Sequence, residues 1–240
     1  MKKLFILLSL FTCFDAIQAN AQNIINGIGK LKLDSPPSIL TEIGYDLDKA
    51  IKVNSMEEYH GKVYRNYTGH SLYQLFPDEK RKYGITDASY HPSVKVFYIP
   101  KYEPVEGLVC SGLTLKFFND SLYFIETYNP SELEDAFALK YGKPQVNLEE
   151  KDKQYTTRYG TKVTKTDQTF KMTYETGNPQ TTCIATILIW YNNKGEKSTL
   201  YYLVIDTPKI SEFVKDYDEK KRNEAEEKRE KDKLKTLDNL

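Results

Sequence analysis

Apolar and polar residues alternate most regularly in the segment 108–144. In the stretch 113–117 every second residue is apolar, which is typical of a strand with one buried face. The Asn-Asp pair at 119–120 accepts the positive φ of a two-residue hairpin turn, so a second strand is predicted to return beside the first. With that turn, Leu115 pairs with Phe124. The predicted apolar face of the hairpin consists of Leu113, Leu115, Phe117, Leu122 and Phe124.

The hairpin is followed by a pattern that predicts a helix over 130–141. Asn129 is a favourable N-cap, a proline stands at the first helical position, and Glu132 would complete a capping box. Apolar residues recur at spacings of three and four, and Gly142 provides the stop. We therefore expect this helix to lay its apolar stripe on the apolar face of the hairpin.

Much of the remaining chain up to residue 208 has strand-like patterns. The segment 145–153 is so rich in charge that it is predicted to be a connector, and 46–90 has no pattern that predicts its structure. Further strands are predicted over 94–99, 168–176, 181–191 and 198–205. We therefore predict an α+β fold with a mostly antiparallel sheet, one helix packed on a face and an exposed charged C-terminal helix.

The N-terminus has the pattern of a secretory signal peptide over residues 1–21. Two lysines precede an apolar run over 4–14, and small residues then mark a cleavage site ending at Ala21. The run is shorter than the ~20 residues that a membrane-spanning helix needs. Lipidation at Cys13 is a weaker alternative because a bulky Phe and a Thr stand in the preceding box. We expect cleavage near Ala21 and a secreted or periplasmic bacterial protein.

Three regions are therefore expected: the signal peptide, an α+β domain over 22–208 and a charged helix over 209–240. A sub-boundary near 100–107, where two prolines stand, is left open. The helix has no heptad seam, so a solubilising tail is favoured over a partner-binding helix.

Composition argues against nucleic-acid binding and indicates a disulfide. Lys+Arg and Asp+Glu both number 34, and this balance argues against a nucleic-acid-binding protein. Apart from Cys13, the cysteines are Cys110 and Cys183. In an oxidising compartment they are predicted to form one disulfide, and the alternative is two separate buried thiols.

The sequence contains no motif that predicts a catalytic, metal or cofactor site. The three histidines, His60, His70 and His91, are too widely spaced to suggest a metal site. Tyrosine is abundant, with 19 residues, and exposed tyrosines can stack on sugars or anchor a protein partner. Packing beneath loops or the N-terminal segment is the favoured alternative. The tyrosines predicted to lie opposite the core are Tyr123, Tyr155, Tyr159 and Tyr201.

The run LTLKFFNDSLYFIETYNPSELEDAFALKYGKP resembles a pattern in small uncharacterised secreted bacterial proteins. The chain is more loosely similar to the small α+β domains of outer-membrane assembly lipoproteins and of β-lactamase inhibitor proteins, and these similarities imply binding to proteins. We therefore expect a non-catalytic protein- or peptide-binding module of the bacterial cell envelope. The alternatives are a glycan-binding protein that uses exposed tyrosines and, less favoured, an enzyme of unrecognised type.

Overall fold

The computed structural model describes residues 24–63, 70–78, 87–156, 160–192 and 194–237. The predicted signal peptide and Tyr159 lie outside these residues. Within them the strands are β1 (Gly27–Ile28), β2 (Leu31–Lys32), β3 (Ile51–Val53), β4 (Tyr73–Leu75), β5 (Val94–Val105), β6 (Leu108–Phe118), β7 (Ser121–Tyr128), β8 (Gln145–Thr156), β9 (Lys162–Thr173), β10 (Thr182–Tyr191) and β11 (Lys197–Asp206). The helices are α1 (Ile39–Glu42), α2 (Met56–Glu58), α3 (Ser131–Tyr141) and α4 (Pro208–Leu237), with a 3-10 helix at Leu47–Lys49 and a π-helical turn at Tyr59–Val63.

Nine of the described strands form one sheet in the order β3-β4-β5-β6-β7-β11-β10-β9-β8, and β1 pairs with β2 in a separate hairpin. Every pairing in the large sheet is antiparallel except that of β3 with β4. The predictions of an α+β fold, a mostly antiparallel sheet and a C-terminal helix are therefore confirmed. None of the described helices combines the length and the apolar content needed to cross a membrane.

The segment predicted to be a charged connector is instead the strand β8. It pairs with β9 from Gln145 to Thr156 and forms one edge of the sheet. No residue of β8 is buried, so its side chains carry no alternation of apolar and polar residues. Its charges are typical of an edge strand that resists pairing with other chains.

The hairpin of β6 and β7 has the predicted turn, with φ of 49° at Asn119 and 61° at Asp120. Its register changes twice. Phe117 pairs with Leu122, but Lys116 pairs with Phe124, so Tyr123 is an extra residue on β7. The predicted pairing of Leu115 with Phe124 is therefore wrong, because this β-bulge brings Ile125 opposite Leu115.

The second change of register adds a residue to β6 and compensates for the first. Ser111 pairs with Tyr128 and Thr114 with Glu126, so two residues of β6 face one residue of β7 between these pairs. Gly112 lies in this bulge with φ of 63°, a conformation that glycine adopts without strain. Between the two bulges, the side chains of β7 are shifted by one position relative to a regular hairpin.

We call the two sides of the large sheet the core face, which carries Leu115 and Ile205, and the outer face, which carries Thr114 and Val204. The core face holds the larger apolar cluster. Leu133 and Phe137 of α3 belong to this cluster. The N-cap of α3 is Pro130 with no side-chain hydrogen bond, so the predicted capping box is wrong.

The outer face is covered near β4 and β5 by a second cluster that includes Val53, Val63, Tyr73 and Val96. Helix α4 is held in place by hydrogen bonds to the segment that precedes β5. Asp218 accepts hydrogen bonds from the Ser89 hydroxyl at 2.9 Å and the Tyr90 amide at 2.7 Å.

The predicted disulfide between Cys110 and Cys183 is wrong. Cys110 lies on β6 and Cys183 on β10, with β7 and β11 between them. Three strand spacings amount to ~14 Å, whereas bonded cysteines have Cα atoms within ~7 Å. The structure has two separate buried thiols, and burial raises the pKa of each to about 12.

Candidate functional site

Tyr123, predicted to lie opposite the core, is buried with 2% of its surface accessible. As the extra residue of the β7 bulge, it lies beside Phe124 and lines a cavity together with Val214 and Asp218 of α4. It is not an exposed binding residue, because α4 covers this part of the sheet. Burial also raises the pKa of the Tyr123 hydroxyl above its ordinary value.

The remaining predicted tyrosines do not form a common surface. Tyr155 is partly exposed, and its hydroxyl donates a hydrogen bond to the Tyr191 carbonyl at 2.8 Å. Tyr201 is paired with Ile187 and packs against the cluster on the core face. Tyr155 lies on the opposite side of the sheet, as its position in the β8–β9 ladder requires. The glycan-binding alternative thus has no row of exposed tyrosines among the described residues.

A different set of residues forms an apolar surface on the outer face of β10 and β11. All are partly exposed, and Trp190 is the most accessible at 38%. They lie on one side because directly paired residues of antiparallel strands share a face. We call this set the outer apolar patch; it consists of Ile184, Leu188, Trp190, Leu200, Tyr202 and Val204.

The outer apolar patch continues directly into a group of acidic and phenolic side chains. Val204 pairs with Glu126 of β7, and Tyr202 pairs with Tyr128. Across β6, Thr114 pairs with both Glu126 and Tyr98. We call this group the Glu126 cluster; it consists of Glu126, Asp87, Tyr59, Tyr98 and Tyr128.

The Glu126 cluster is assembled by distant parts of the chain. Tyr59 comes from the π-helical turn and donates a hydrogen bond to the Asp87 carboxylate at 3.2 Å. The rings of Tyr98 and Tyr128 approach each other above Gly112. A Cβ atom on Gly112 would lie 2.9 Å from Cδ2 of Tyr128 and 3.1 Å from the Tyr98 hydroxyl, so the missing side chain makes room for both rings.

The electrostatics of the cluster disfavour a second negative charge. Burial and, to a smaller extent, the nearby Asp87 raise the pKa of Glu126 to about 7 against the opposing effect of Lys116. Burial, Asp87 and Tyr73 together raise the pKa of Tyr98 to about 12. Glu126 is therefore a carboxyl group that changes charge near neutral pH.

Thr114, which lies on β6 next to the Glu126 cluster, has an unsatisfied hydroxyl group. It is 0% exposed, and its hydroxyl has no hydrogen-bond partner in the part of the chain that the structure describes. Its directly paired neighbours in the ladder are Tyr98 and Glu126. A buried hydroxyl without a partner is costly, and a ligand with N–H groups would remove that cost.

The arrangement brings aromatic rings and carboxyl groups together. Tyrosine rings and carboxylates together attract organic cations. Across residues 24–63, 70–78, 87–156, 160–192 and 194–237, no group of three or more His, Cys, Asp or Glu side chains could hold a metal ion. Compared with known proteins, the chain matches no protein-family model, no curated protein and no solved structure.

The pattern of the sequence missed the Glu126 cluster for a physical reason. Tyr59 and Asp87 belong to the segment 46–90, which has no periodicity, and they meet Glu126 only through tertiary contacts. One local signal was present: Glu126 is an acid inside the apolar strand LYFIETY. A carboxyl group in such a strand either faces solvent or occupies a specialised site.

Proposed function

We propose that the protein is a non-catalytic module that binds an extended segment of a partner protein at the bacterial cell envelope, and that the outer apolar patch receives this segment. The observation that carries the proposal is the exposure of Trp190, at 38%, within a row of partly exposed apolar residues. Contiguous apolar surface of this kind is typical of protein-binding sites, and tryptophan and tyrosine are frequent anchors in them.

The occupant is a peptide segment with apolar residues and at least one basic residue. The patch spans 184–190 on β10, which at ~3.3 Å per residue is roughly 20 Å, enough for about six residues of extended chain. The acidic side chains Glu126 and Asp87 lie next to it, so charge complementarity favours a basic residue at that end.

The choice of the outer face rests on how the two faces are covered. We infer that α3 is the helix packed on the core face, because Leu133 and Phe137 belong to the cluster there and the Phe137 ring centroid lies 5.9 Å from that of Tyr174. The outer face of β10 and β11 carries Trp190, whose side chain is the exposed large apolar one on these two strands, so we assign the partner to that face.

Peptide selection tests this proposal, and Trp190 provides the readout because it is the only tryptophan. Peptides selected from a random library on the wild-type protein should alter Trp190 fluorescence, and Leu188→Asp should weaken their binding at least tenfold. Leu139→Asp is the matched control, since Leu139 is 91% exposed on α3, away from the patch. If no peptide is enriched, or if Leu188→Asp binds as tightly as the control, the proposal is wrong.

Location at the envelope is a separate part of the proposal, supported by the N-terminal pattern of two lysines, an apolar run and small residues before position 22. The mass of the chain recovered from a bacterial host tests it. We expect the exported protein to begin at Gln22, and full-length protein confined to the cytoplasm would contradict that expectation.

A further inference from the structure

We propose that the Glu126 cluster is a binding site for an organic cation, namely the lysine or arginine side chain of the partner segment that lies on the outer apolar patch. This inference rests on the proposed function and names the chemistry of the partner residue that reaches the cluster. The cluster adjoins the patch through two directly paired positions, Glu126 with Val204 and Tyr128 with Tyr202.

The composition of the site also favours a cation. The rings of Tyr59, Tyr98 and Tyr128 and the carboxyl groups of Glu126 and Asp87 interact with one another electrostatically. A cation gains from the faces of aromatic rings and from carboxylates at once, and the gain is larger where water is partly excluded. Neutral or anionic side chains gain nothing comparable from this set.

The hydroxyl of Thr114, which pairs in the ladder with Tyr98 and Glu126, has no partner among the described residues. It is completely buried, and nothing in the described part of the chain donates to it or accepts from it. A guanidinium carries five N–H donors and an ammonium carries three, with no acceptor. The Glu126 carboxyl and the Thr114 oxygen are both acceptors of the kind that such donors satisfy.

The charge around Glu126 also favours a cation. Asp87 and Lys116 act on the Glu126 carboxyl, which in turn acts on Tyr59 and Tyr128. Lys116 is itself placed over the ring of Phe124, 4.8 Å from the centroid. No side chain in the described ranges forms an ion pair with Glu126, so an incoming cation would be the first to do so.

N-acetylarginine amide is the test probe because it carries the cation without a second charge, and N-acetylglutamine amide is its neutral counterpart. We expect the arginine compound to bind and the neutral compound not to bind. With a Glu126 pKa of about 7, ionisation of the carboxyl makes binding roughly thirtyfold tighter at pH 8.5 than at pH 5.5. Carbon-13 NMR of the Glu126 carboxyl should show its pKa falling as the probe binds.

Two variants make the experiment decisive. Glu126→Gln preserves the shape of the side chain and should abolish the binding and its pH dependence, whereas Glu106→Gln removes an exposed carboxylate in the turn after β5 and should change neither. Circular dichroism confirms that both variants are folded. Equal binding of the neutral compound, or unchanged affinity in Glu126→Gln, would overturn the inference.

The two proposals fail in different ways. If selected peptides depend on Leu188 but show no preference for basic residues and no effect of Glu126→Gln, the cation site is wrong and the binding patch stands. If N-acetylarginine amide binds at Glu126 while no peptide depends on Leu188, the cation site stands and the peptide-binding function is wrong.

Discussion

An interior strand and an edge strand of the large sheet share antiparallel backbone pairing and differ in what their side chains do. In β6 the side chains of Leu113, Leu115 and Phe117 are 0% exposed, whereas β8 has no buried residue along its twelve positions. Both are long strands in antiparallel ladders. The comparison teaches that ladder hydrogen bonds suffice to define a strand, while side-chain burial determines how much that strand contributes to stability.

The largest effect is expected when a buried side chain of the interior strand β6 is truncated. Phe117→Ala should lower the free energy of unfolding by ~3–5 kcal/mol, because it removes a fully buried ring and leaves a cavity. Leu148→Ala in β8 should cost less than ~1 kcal/mol, since that side chain is already 45% exposed. Urea unfolding measures both. Similar losses of unfolding free energy for the two variants would contradict the contrast between β6 and β8.

The next effect concerns Glu126, at the boundary between the covered and open parts of the outer face. Its pKa rises from 4.5 to about 7 on folding, so between these pH values the folded state holds a proton that the unfolded state has lost. Stability should therefore fall as pH rises from about 4.5 to about 7 and then level off. Glu126→Gln should remove this pH dependence and raise the free energy of unfolding at pH 8 by on the order of 1–3 kcal/mol.

Urea unfolding at a series of pH values checks this prediction, with Glu150→Gln on the open strand β8 as the control. The control should keep the slope of the wild type. A slope that persists in Glu126→Gln would assign the pH dependence to another group.

A smaller effect is expected where α4 is anchored. Asp218→Ala removes the acceptor of two hydrogen bonds, to the Ser89 hydroxyl and the Tyr90 amide, and should cost about 1–2 kcal/mol. Asp216→Ala changes an exposed carboxylate on the same helix and should cost less than ~0.5 kcal/mol. Thermal unfolding compares the pair. Equal shifts would mean that the bonds of Asp218 do not anchor the helix.

The smallest effect is expected for the ion pair between β8 and β9. Lys171 Nζ lies 3.2 Å from Glu149 Oε1, and the side chains are 47% and 58% exposed. A double-mutant cycle with alanine at both positions should give a coupling below ~1 kcal/mol that decreases in salt. A coupling free energy above ~2 kcal/mol would show that the β8 edge depends on its charged side chains for stability.

The same contrast explains which strands could be predicted. The alternation in β6 is visible because one side of it is buried, and the turn at Asn119 has the positive φ that its residue type favours. In β8 both sides meet solvent, so selection for burial leaves no period of two in the sequence. Predictions from periodicity therefore work where packing is tight and fail at an open edge.

The candidate site was beyond the reach of periodicity for a second reason. Glu126 is a visible exception in its strand, but Asp87 and Tyr59 approach it from a part of the chain without a pattern. The predicted disulfide failed similarly, because two cysteines in predicted strands say nothing about how many strands separate them. Both outcomes depend on the order of strands in the sheet, which local pattern does not determine.

The two bulges of the β6–β7 hairpin act like a pair of compensating insertions that shift and then restore a reading frame. In a regular hairpin Leu115 would face Phe124 and Leu113 would face Glu126, so the carboxyl group would point into the apolar core. The extra residue at Tyr123 shifts the frame, and the extra residue beside Gly112 restores it four residues later. Deleting both would give a more regular hairpin but would leave Glu126 among the core side chains, so the irregularity is what delivers this acid to the outer face.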